Sequence, residues 1–141
     1  LSPSYGGGLY INSSKLIISH CEIRNNKAYV GGGICINYNS SPTIKNCSIY
    51  SNESSGSGGG ILIFNGSSSI IENCLVYSNT SLGGGGGGGF YITGGPAIKI
   101  INTTITNNNA STIGSNIRIL NSSIGYDPSF INCIVWDAHI L

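Results

Sequence analysis

Hydrophobic and polar residues alternate in short stretches that recur along the whole chain. After each glycine-rich run, apolar residues stand at the first and third positions, as in the pair Ile34 and Ile36 and the pair Ile61 and Ile63. A period of two is typical of a strand with one buried face. No stretch has the sustained spacing of an amphipathic helix. The pattern therefore predicts an all-β fold.

A longer pattern repeats at intervals of 26, 27, 29 and 30 residues. The intervals separate the members of one column, Cys21, Cys47, Cys74, Thr103 and Cys133. Three positions before each member stands an apolar residue: Ile18, Ile44, Ile71, Ile100 and Phe130. Two positions after it stands another: Ile23, Ile49, Val76, Ile105 and Val135. A period in this range indicates a solenoid in which each repeat forms one coil.

The residue just before the column marks a corner of the coil. The apolar residue three positions before the column and the column residue itself are both expected to face inward. Because side chains alternate between the two faces of a strand, a straight strand cannot point both of them to the same side. The corner residue is His20 in the first repeat and asparagine in the others: Asn46, Asn73, Asn102 and Asn132. These residue types are enriched at positive φ. The sequence thus predicts a left-handed corner between two strands, and about five coils of three short strands each.

Stacked coils place equivalent residues above one another, which predicts two ladders. One is the asparagine ladder of the corner residues. The other contains the cysteines of the column, Cys21, Cys47, Cys74 and Cys133. The cysteines are interpreted as buried free thiols, and a disulfide between neighbouring coils is the alternative, for which in-register Cβ atoms stand slightly too far apart. Cys35 is expected to point outward, and no cysteine or histidine spacing suggests a metal site.

The segment GGGICINYNSSPTIKNCSIYSN, residues 31–52, resembles the repeats of right-handed parallel β-helices of the pectin-lyase-like superfamily. It is also similar to the glycine-rich and aromatic-x-x-Asn repeats of polymorphic outer-membrane autotransporters. The ending Asn-Cys-Ile-Val-Trp at 132–136 resembles the last coil of large secreted bacterial β-helix proteins. The resemblance implies one right-handed, single-stranded parallel β-helix domain over residues 1–141. It further implies a piece of a longer extracellular or cell-surface protein, whose neighbouring coils or domains would be its partners.

The low charge and the short apolar runs argue against nucleic-acid binding and against a membrane span. Charged residues make up 8% of the chain and the net charge is +1, against about 25% charged residues in an ordinary domain. No basic surface for nucleic acid is expected. The apolar runs are too short for a membrane span, which needs about 18 residues or more. No cofactor is predicted.

Clustered acids would indicate catalysis. Lyases and hydrolases of the resembled superfamily use such clusters, with calcium and a basic residue or as paired aspartates. This chain has five acids, and the only candidate group is Arg118, Asp127 and Asp137 in the last coil. The alternative for this group is a solvated turn with surface charges. A non-catalytic role is therefore preferred over part of a polysaccharide lyase or glycoside hydrolase.

An outward row on the first strand of each coil is the candidate binding face. The residues predicted to contact a ligand are Tyr10, Leu62, Phe64, Tyr91 and Arg118. Exposed aromatic rings beside asparagine and threonine suit sugars, which offer apolar faces and hydroxyl rims. The alternative is that a loop or a neighbouring domain covers this row. The sequence thus favours a stalk or adhesin-like segment that contacts polysaccharide.

Overall fold

The computed structural model describes residues 4–95, 97–120 and 127–137. These residues form 19 short strands and no helix, so they contain no helix that could cross a membrane. In chain order the strands are β1 (Leu9–Asn12), β2 (Ile17–Ser19), β3 (Glu22–Arg24), β4 (Lys27–Val30), β5 (Ile34–Asn37), β6 (Thr43–Lys45), β7 (Ser48–Tyr50), β8 (Glu53–Ser57), β9 (Ile61–Ile63), β10 (Ile70–Glu72), β11 (Leu75–Tyr77), β12 (Thr80–Ser81), β13 (Phe90–Thr93), β14 (Lys99–Ile101), β15 (Thr104–Thr106), β16 (Asn109–Ala110), β17 (Ile117–Leu120), β18 (Ser129–Ile131) and β19 (Ile134–Trp136).

Equivalent strands of successive coils stack into four parallel sheets. The first sheet contains β1, β5, β9, β13 and β17, and the second contains β2, β6, β10, β14 and β18. The third contains β3, β7, β11, β15 and β19, and the fourth contains β4, β8, β12 and β16. The predicted parallel β-helix is confirmed. The described strands make four complete coils and three strands of a further one, close to the predicted five.

The prediction of three strands per coil was wrong, because a fourth strand follows the third in each complete coil. This fourth strand is mostly polar and is as short as Thr80–Ser81. The stacked residues that it buries are small, Ala28, Ser54 and Ser81. A strand without large apolar residues leaves no hydrophobic alternation to detect.

The apolar columns predicted from the repeat are paired in register throughout. Ile34 pairs with Ile61, and Ile61 pairs with Phe90, all fully buried. The column before the corner runs through Ile18, Ile44, Ile71, Ile100 and Phe130, and the column after it through Ile23, Ile49, Val76, Ile105 and Val135. The middle coils therefore enclose one continuous aliphatic core.

Each coil turns at residues with positive φ. The predicted corner is confirmed at His20, Asn46, Asn73, Asn102 and Asn132, whose φ angles are 48–56°. A second corner, not predicted, separates the third strand from the fourth at Asn25, Ser51, Ser78 and Asn107, with φ of 52–58°. A glycine makes the turn from the fourth strand back to the first, as Gly58 does at φ 66°.

An inner asparagine ladder runs along the axis beside the second corner. Its members are Asn26, Asn52, Asn79, Asn108 and Asn116. Asn79, which is fully buried, donates from Nδ2 to Oδ1 of Asn108 at 2.9 Å and to the carbonyl of Ile49 at 2.9 Å. Its Oδ1 accepts from the Nδ2 and the backbone N–H of Asn52. The ladder thus satisfies polar groups that the core would otherwise leave unpaired.

The glycine triplets make room for this ladder. A Cβ on Gly60 would lie 3.0 Å from Nδ2 of Asn79 and 2.7 Å from the carbonyl oxygen of Gly89. The third glycine of the triplet stands equally close to the ladder in the other complete coils. The close approach explains why glycine precedes each first strand.

Candidate functional site

An open groove with a volume of about 310 Å³ lies on the outer side of the first sheet, at its edge with the fourth sheet. We call it the aromatic groove, and its lining residues are Tyr5, Tyr29, Val30, Ser57, Leu62, Phe64, Tyr91 and Thr93. Four of these eight side chains are aromatic, and none carries a formal charge. The groove thus offers ring faces and hydroxyl groups together.

The ring of Tyr5 organises one end of the aromatic groove. Tyr5 and Phe64 are nearly parallel, with centroids 6.3 Å apart and an angle of 9° between their planes. The ring of Tyr10 also packs against Tyr5, with centroids 5.7 Å apart and an angle of 31° between the planes. Tyr5 and Tyr29 remain 41% and 51% exposed. Part of the aromatic surface is therefore available to a ligand.

A short polar chain adjoins these rings. Asn65 donates from Nδ2 to Oδ1 of Asn37 at 2.8 Å, and Asn37 donates from Nδ2 to the hydroxyl of Tyr10 at 3.0 Å. These two hydrogen bonds hold the Tyr10 ring beside Tyr5. Tyr10, predicted to contact a ligand, does not line the aromatic groove but supports a ring that does.

Arg118 has a similar supporting position at the far end of the groove. Its guanidinium lies over the ring of Tyr91, with Cζ 5.7 Å from the ring centroid. Its Nη1 donates to the carbonyl oxygens of Gly84, at 3.3 Å, and of Gly85. The glycine-rich segment 83–89 thus holds Arg118 against Tyr91, and a cation over the ring face is attracted to it.

Two residues of the outward row are buried, contrary to the expectation that they are exposed. Leu62 is 3% exposed and forms part of the groove floor, and Cys35 is 0% exposed. Both lie under the glycine turns that return from the fourth sheet: a Cβ on Gly31 would be 2.8 Å from Cβ of Cys35. Burial raises the pKa of the Cys35 thiol to about 12. The unpredicted fourth sheet is the reason for both differences.

Arg118 and Asp137, two of the three residues considered for catalysis, have different surroundings. Arg118 packs on Tyr91 on the outer side of the first sheet. Asp137 accepts a hydrogen bond from Nδ2 of Asn116 at 2.8 Å, at the end of the inner ladder. Asp127 lies just before β18. Two other acids form ion pairs, Glu22 with Arg24 and Glu53 with Lys27.

The predicted corner ladder forms side-chain contacts between some of the neighbouring coils. In the corner ladder, Asn102 donates to Oδ1 of Asn73 at 3.2 Å, and Asn46 contacts Nε2 of His20 at 3.2 Å. Asn132 shares the corner conformation, with φ of 50°. All these side chains are exposed.

In the cysteine column, all thiols are free, and Cys35 is free as well. Cys47 and Cys74 are buried, Cys133 is half-buried and Cys21 is exposed at the first coil. Burial raises the pKa of Cys47, and it raises that of Cys74 to about 11. Each of these four thiols lies within hydrogen-bond distance of a backbone carbonyl two residues earlier. Cys47 and Cys74 therefore act as small buried groups with a weak donor, whereas Cys21, predicted to be buried, is exposed because no coil covers it among the described residues.

Four of the eight residues that line the aromatic groove were not identified from the sequence. Tyr5 precedes the first coil's glycines, and Tyr29, Val30 and Ser57 belong to the fourth strand. The usable signal was the aromatic type of Tyr5 and Tyr29, which stand next to glycine-rich turns. Among residues 4–95, 97–120 and 127–137, no group of three or more His, Cys, Asp or Glu could hold a metal ion.

Comparison with known proteins gives one result. The profile of a family described as "right handed beta helix region" matches residues 1–133. No curated protein and no solved structure shows a significant match to this chain.

Proposed function

The chain belongs to the right-handed β-helix family, and from this premise we propose that it is a non-catalytic binding segment that contacts polysaccharide through the aromatic groove. The observation that carries the proposal is the set of four aromatic rings that line one open, uncharged groove. Known β-helices serve many functions, so the proposal rests on this site and not on the fold.

The chemistry of the aromatic groove fits a neutral sugar chain. Aromatic side chains present a flat apolar body, and a tyrosine adds a hydroxyl that forms hydrogen bonds. The stacked pair Tyr5 and Phe64 offers ring faces, while Ser57 and Thr93 add hydroxyl groups at the same site. A volume of about 310 Å³ falls at the lower end of small-molecule sites, about 300–1,000 Å³. A few sugar rings of a longer chain would occupy it.

The location that we propose is extracellular or at the cell surface, as a stalk or adhesin-like segment. The support is the repeat's resemblance to secreted β-helix proteins, together with the low content of charged residues, 8% of the chain. A stack of similar coils also suits a stalk, because each coil contacts only its neighbours and adds length in one direction.

The test is retention of the chain in gels that contain neutral polysaccharides, such as mixed-linkage glucan, xylan and mannan. We expect retention by at least one of them, lost in Tyr91→Ala and in Phe64→Ala. The matched control is Tyr77→Ala, which removes a tyrosine from the third sheet, away from the groove. The proposal is refuted if the parent protein migrates equally fast in gels with and without each polysaccharide.

The same incubations test the alternative, a polysaccharide lyase or glycoside hydrolase, by the release of new chain ends. Chain ends that appear with the parent protein and vanish in Arg118→Ala or Asp127→Ala would replace the binding proposal with an enzyme.

A further inference from the structure

A second concave site lies on the outer side of the second sheet, away from the aromatic groove. Its volume is about 300 Å³. Thr43 and Lys99 belong to β6 and β14, and Ile70 of β10 lies between them and pairs with both. Lys15 and Ser41 complete one side, in the segments that lead into β2 and β6.

The polar groups of this second pocket are unpaired within the part of the chain that the structure describes. The ammonium groups of Lys15 and Lys99 form neither ion pairs nor hydrogen bonds with described residues. The same holds for the hydroxyls of Ser41, Thr43, Ser68 and Ser69, of which the Ser69 hydroxyl is buried. Two cations and four hydroxyl groups therefore line one cavity, and its lining contains no acid.

We propose that this pocket binds a sulfate or phosphate ester carried by a sugar. Lysine acts as a point charge toward oxyanions, whereas the planar fork of arginine matches a carboxylate in two-point contact. A pocket with two lysines, four hydroxyls and no arginine suits a tetrahedral oxyanion, whose oxygens accept from several directions. The side chain of Ile70 is 39% exposed, and it would pack against the face of the attached ring.

The volume supports a ligand larger than a bare ion. An oxyanion alone fills only a small part of a cavity of about 300 Å³, so the apolar surface of Pro42, Ile70 and Ala97 would remain uncovered. A sugar ring that carries the ester covers both parts of the pocket. This inference does not depend on the aromatic groove, because the two sites lie on different sheets.

The experiment is an NMR titration of the full chain with four probes: glucose 6-sulfate, glucose 6-phosphate, glucuronate and glucose. We expect one or both esters to shift the backbone amides of Ser41, Thr43 and Ser68, with weaker or no shifts from glucuronate and glucose. The ester that binds with the higher affinity shows whether the pocket prefers a sulfate or a phosphate group.

The variants Lys15→Gln and Lys99→Gln remove one charge each and retain a polar side chain that is one atom shorter. Each is expected to weaken ester binding about tenfold, as the loss of a charged hydrogen bond requires. The control Lys45→Gln removes the same charge from the same sheet, outside the pocket lining. The parent ester affinity should also persist in Tyr91→Ala.

Three outcomes would overturn the inference. They are an absence of amide shifts with both esters, equal weakening in Lys45→Gln, and glucuronate binding as tight as that of the esters. Loss of polysaccharide retention in Tyr91→Ala with intact ester binding separates the two proposals.

Discussion

Asn116 donates a hydrogen bond from Nδ2 to Oδ1 of Asp137 at 2.8 Å. Asn116 stands where the complete coils have the third glycine of the triplet, and its side chain fills the next place in the inner ladder. The repeat position that supplies the ladder asparagine in other coils is Ala138 here, outside the described residues. In the last coil the ladder asparagine therefore comes from a different position of the repeat, and Asn116 extends the ladder by one member.

The inner ladder should be the most sensitive polar element of the fold. Asn79→Ala removes two donated and two accepted hydrogen bonds in the fully buried middle of the ladder. Because the partner groups stay buried and unpaired, we expect the free energy of unfolding to fall by about 2–4 kcal/mol. Urea denaturation followed by circular dichroism measures it.

The control is Asn73→Gly, which removes an exposed ladder contact and tolerates the positive φ of the corner. Its cost should stay below about 1 kcal/mol. Equal losses in the two variants would contradict a special role for the inner ladder.

Asp137 should stabilise the last described strands through its bond to Asn116. Asp137→Ala leaves the buried Nδ2 of Asn116 with only the carbonyl of Trp136, at 3.3 Å. We expect faster amide hydrogen exchange in β17 and β19 and a loss of about 1–2 kcal/mol. Asp137→Asn retains an acceptor and should restore most of the protection. Unchanged exchange in Asp137→Ala would show that the bond contributes nothing.

Glycines of this chain should differ sharply in their tolerance of a methyl group. Gly60→Ala places Cβ 2.7 Å from the carbonyl oxygen of Gly89 and 3.0 Å from Asn79 Nδ2. We expect a loss of about 1–3 kcal/mol, because the coils must separate to accept the extra atom. In Gly84→Ala the new Cβ meets nothing within 4 Å, and the change should stay within about 0.5 kcal/mol.

Thermal unfolding of the two alanine variants in parallel checks this difference. If Gly60→Ala has the same melting temperature as the parent protein, the close contact between the triplet and the inner ladder does not contribute to stability.

Thiol reactivity should follow burial. Cys21 is exposed, whereas Cys35 and Cys74 are buried and have pKa values raised to about 12 and about 11. Since the thiolate is the reactive form, iodoacetamide at pH 8 should alkylate Cys21 first. Mass spectrometry of the native and the urea-unfolded chain locates the modified residues. Early modification of Cys35 in the native chain would contradict its burial.

Alkaline pH should destabilise the fold through Cys35. Its thiol has an ordinary pKa of 9.0, raised by burial to about 12 in the folded chain. The neutral thiol is therefore favoured by folding, and stability is complete below pH 9 and decreases as the pH rises from about 9 toward 12. Urea midpoints between pH 8 and 10 should fall less in Cys35→Ala than in the parent protein, while Cys21→Ala should behave like the parent. Parallel curves for Cys35→Ala and the parent would refute this.

The sequence was informative wherever one residue type recurred for a single physical reason. The aliphatic columns and the corner at Asn46 and Asn73 follow from burial and from asparagine's tolerance of positive φ, and both were predicted correctly. The fourth strand was missed because it buries only small residues such as Ala28 and Ser54. The second corner was missed for a related reason, since serine at Ser51 and Ser78 is not characteristic of positive φ.

The candidate sites were harder to predict than the fold. Tyr91 and Phe64 were identified as outward-facing, but the groove that contains them needs the fourth sheet and Tyr5 as well. The second pocket, on the outer side of the second sheet, joins Lys15 of the first coil to Lys99 of the fourth. Residues so far apart in sequence come together only through the register of stacking, which fixes the outer surface as well as the core.

The inner ladder gives the solenoid a polarity along its axis. Each side-chain amide from Asn26 to Asn108 donates to the next member of the ladder, and each from Asn52 to Asn116 accepts from the previous one. The amide dipoles therefore add head to tail, as peptide dipoles do in an α-helix, and neighbouring bonds polarise one another. The positive end of this column meets the carboxylate of Asp137. The column thus ends on an anion, in the way that an acidic residue stabilises the first turn of a helix.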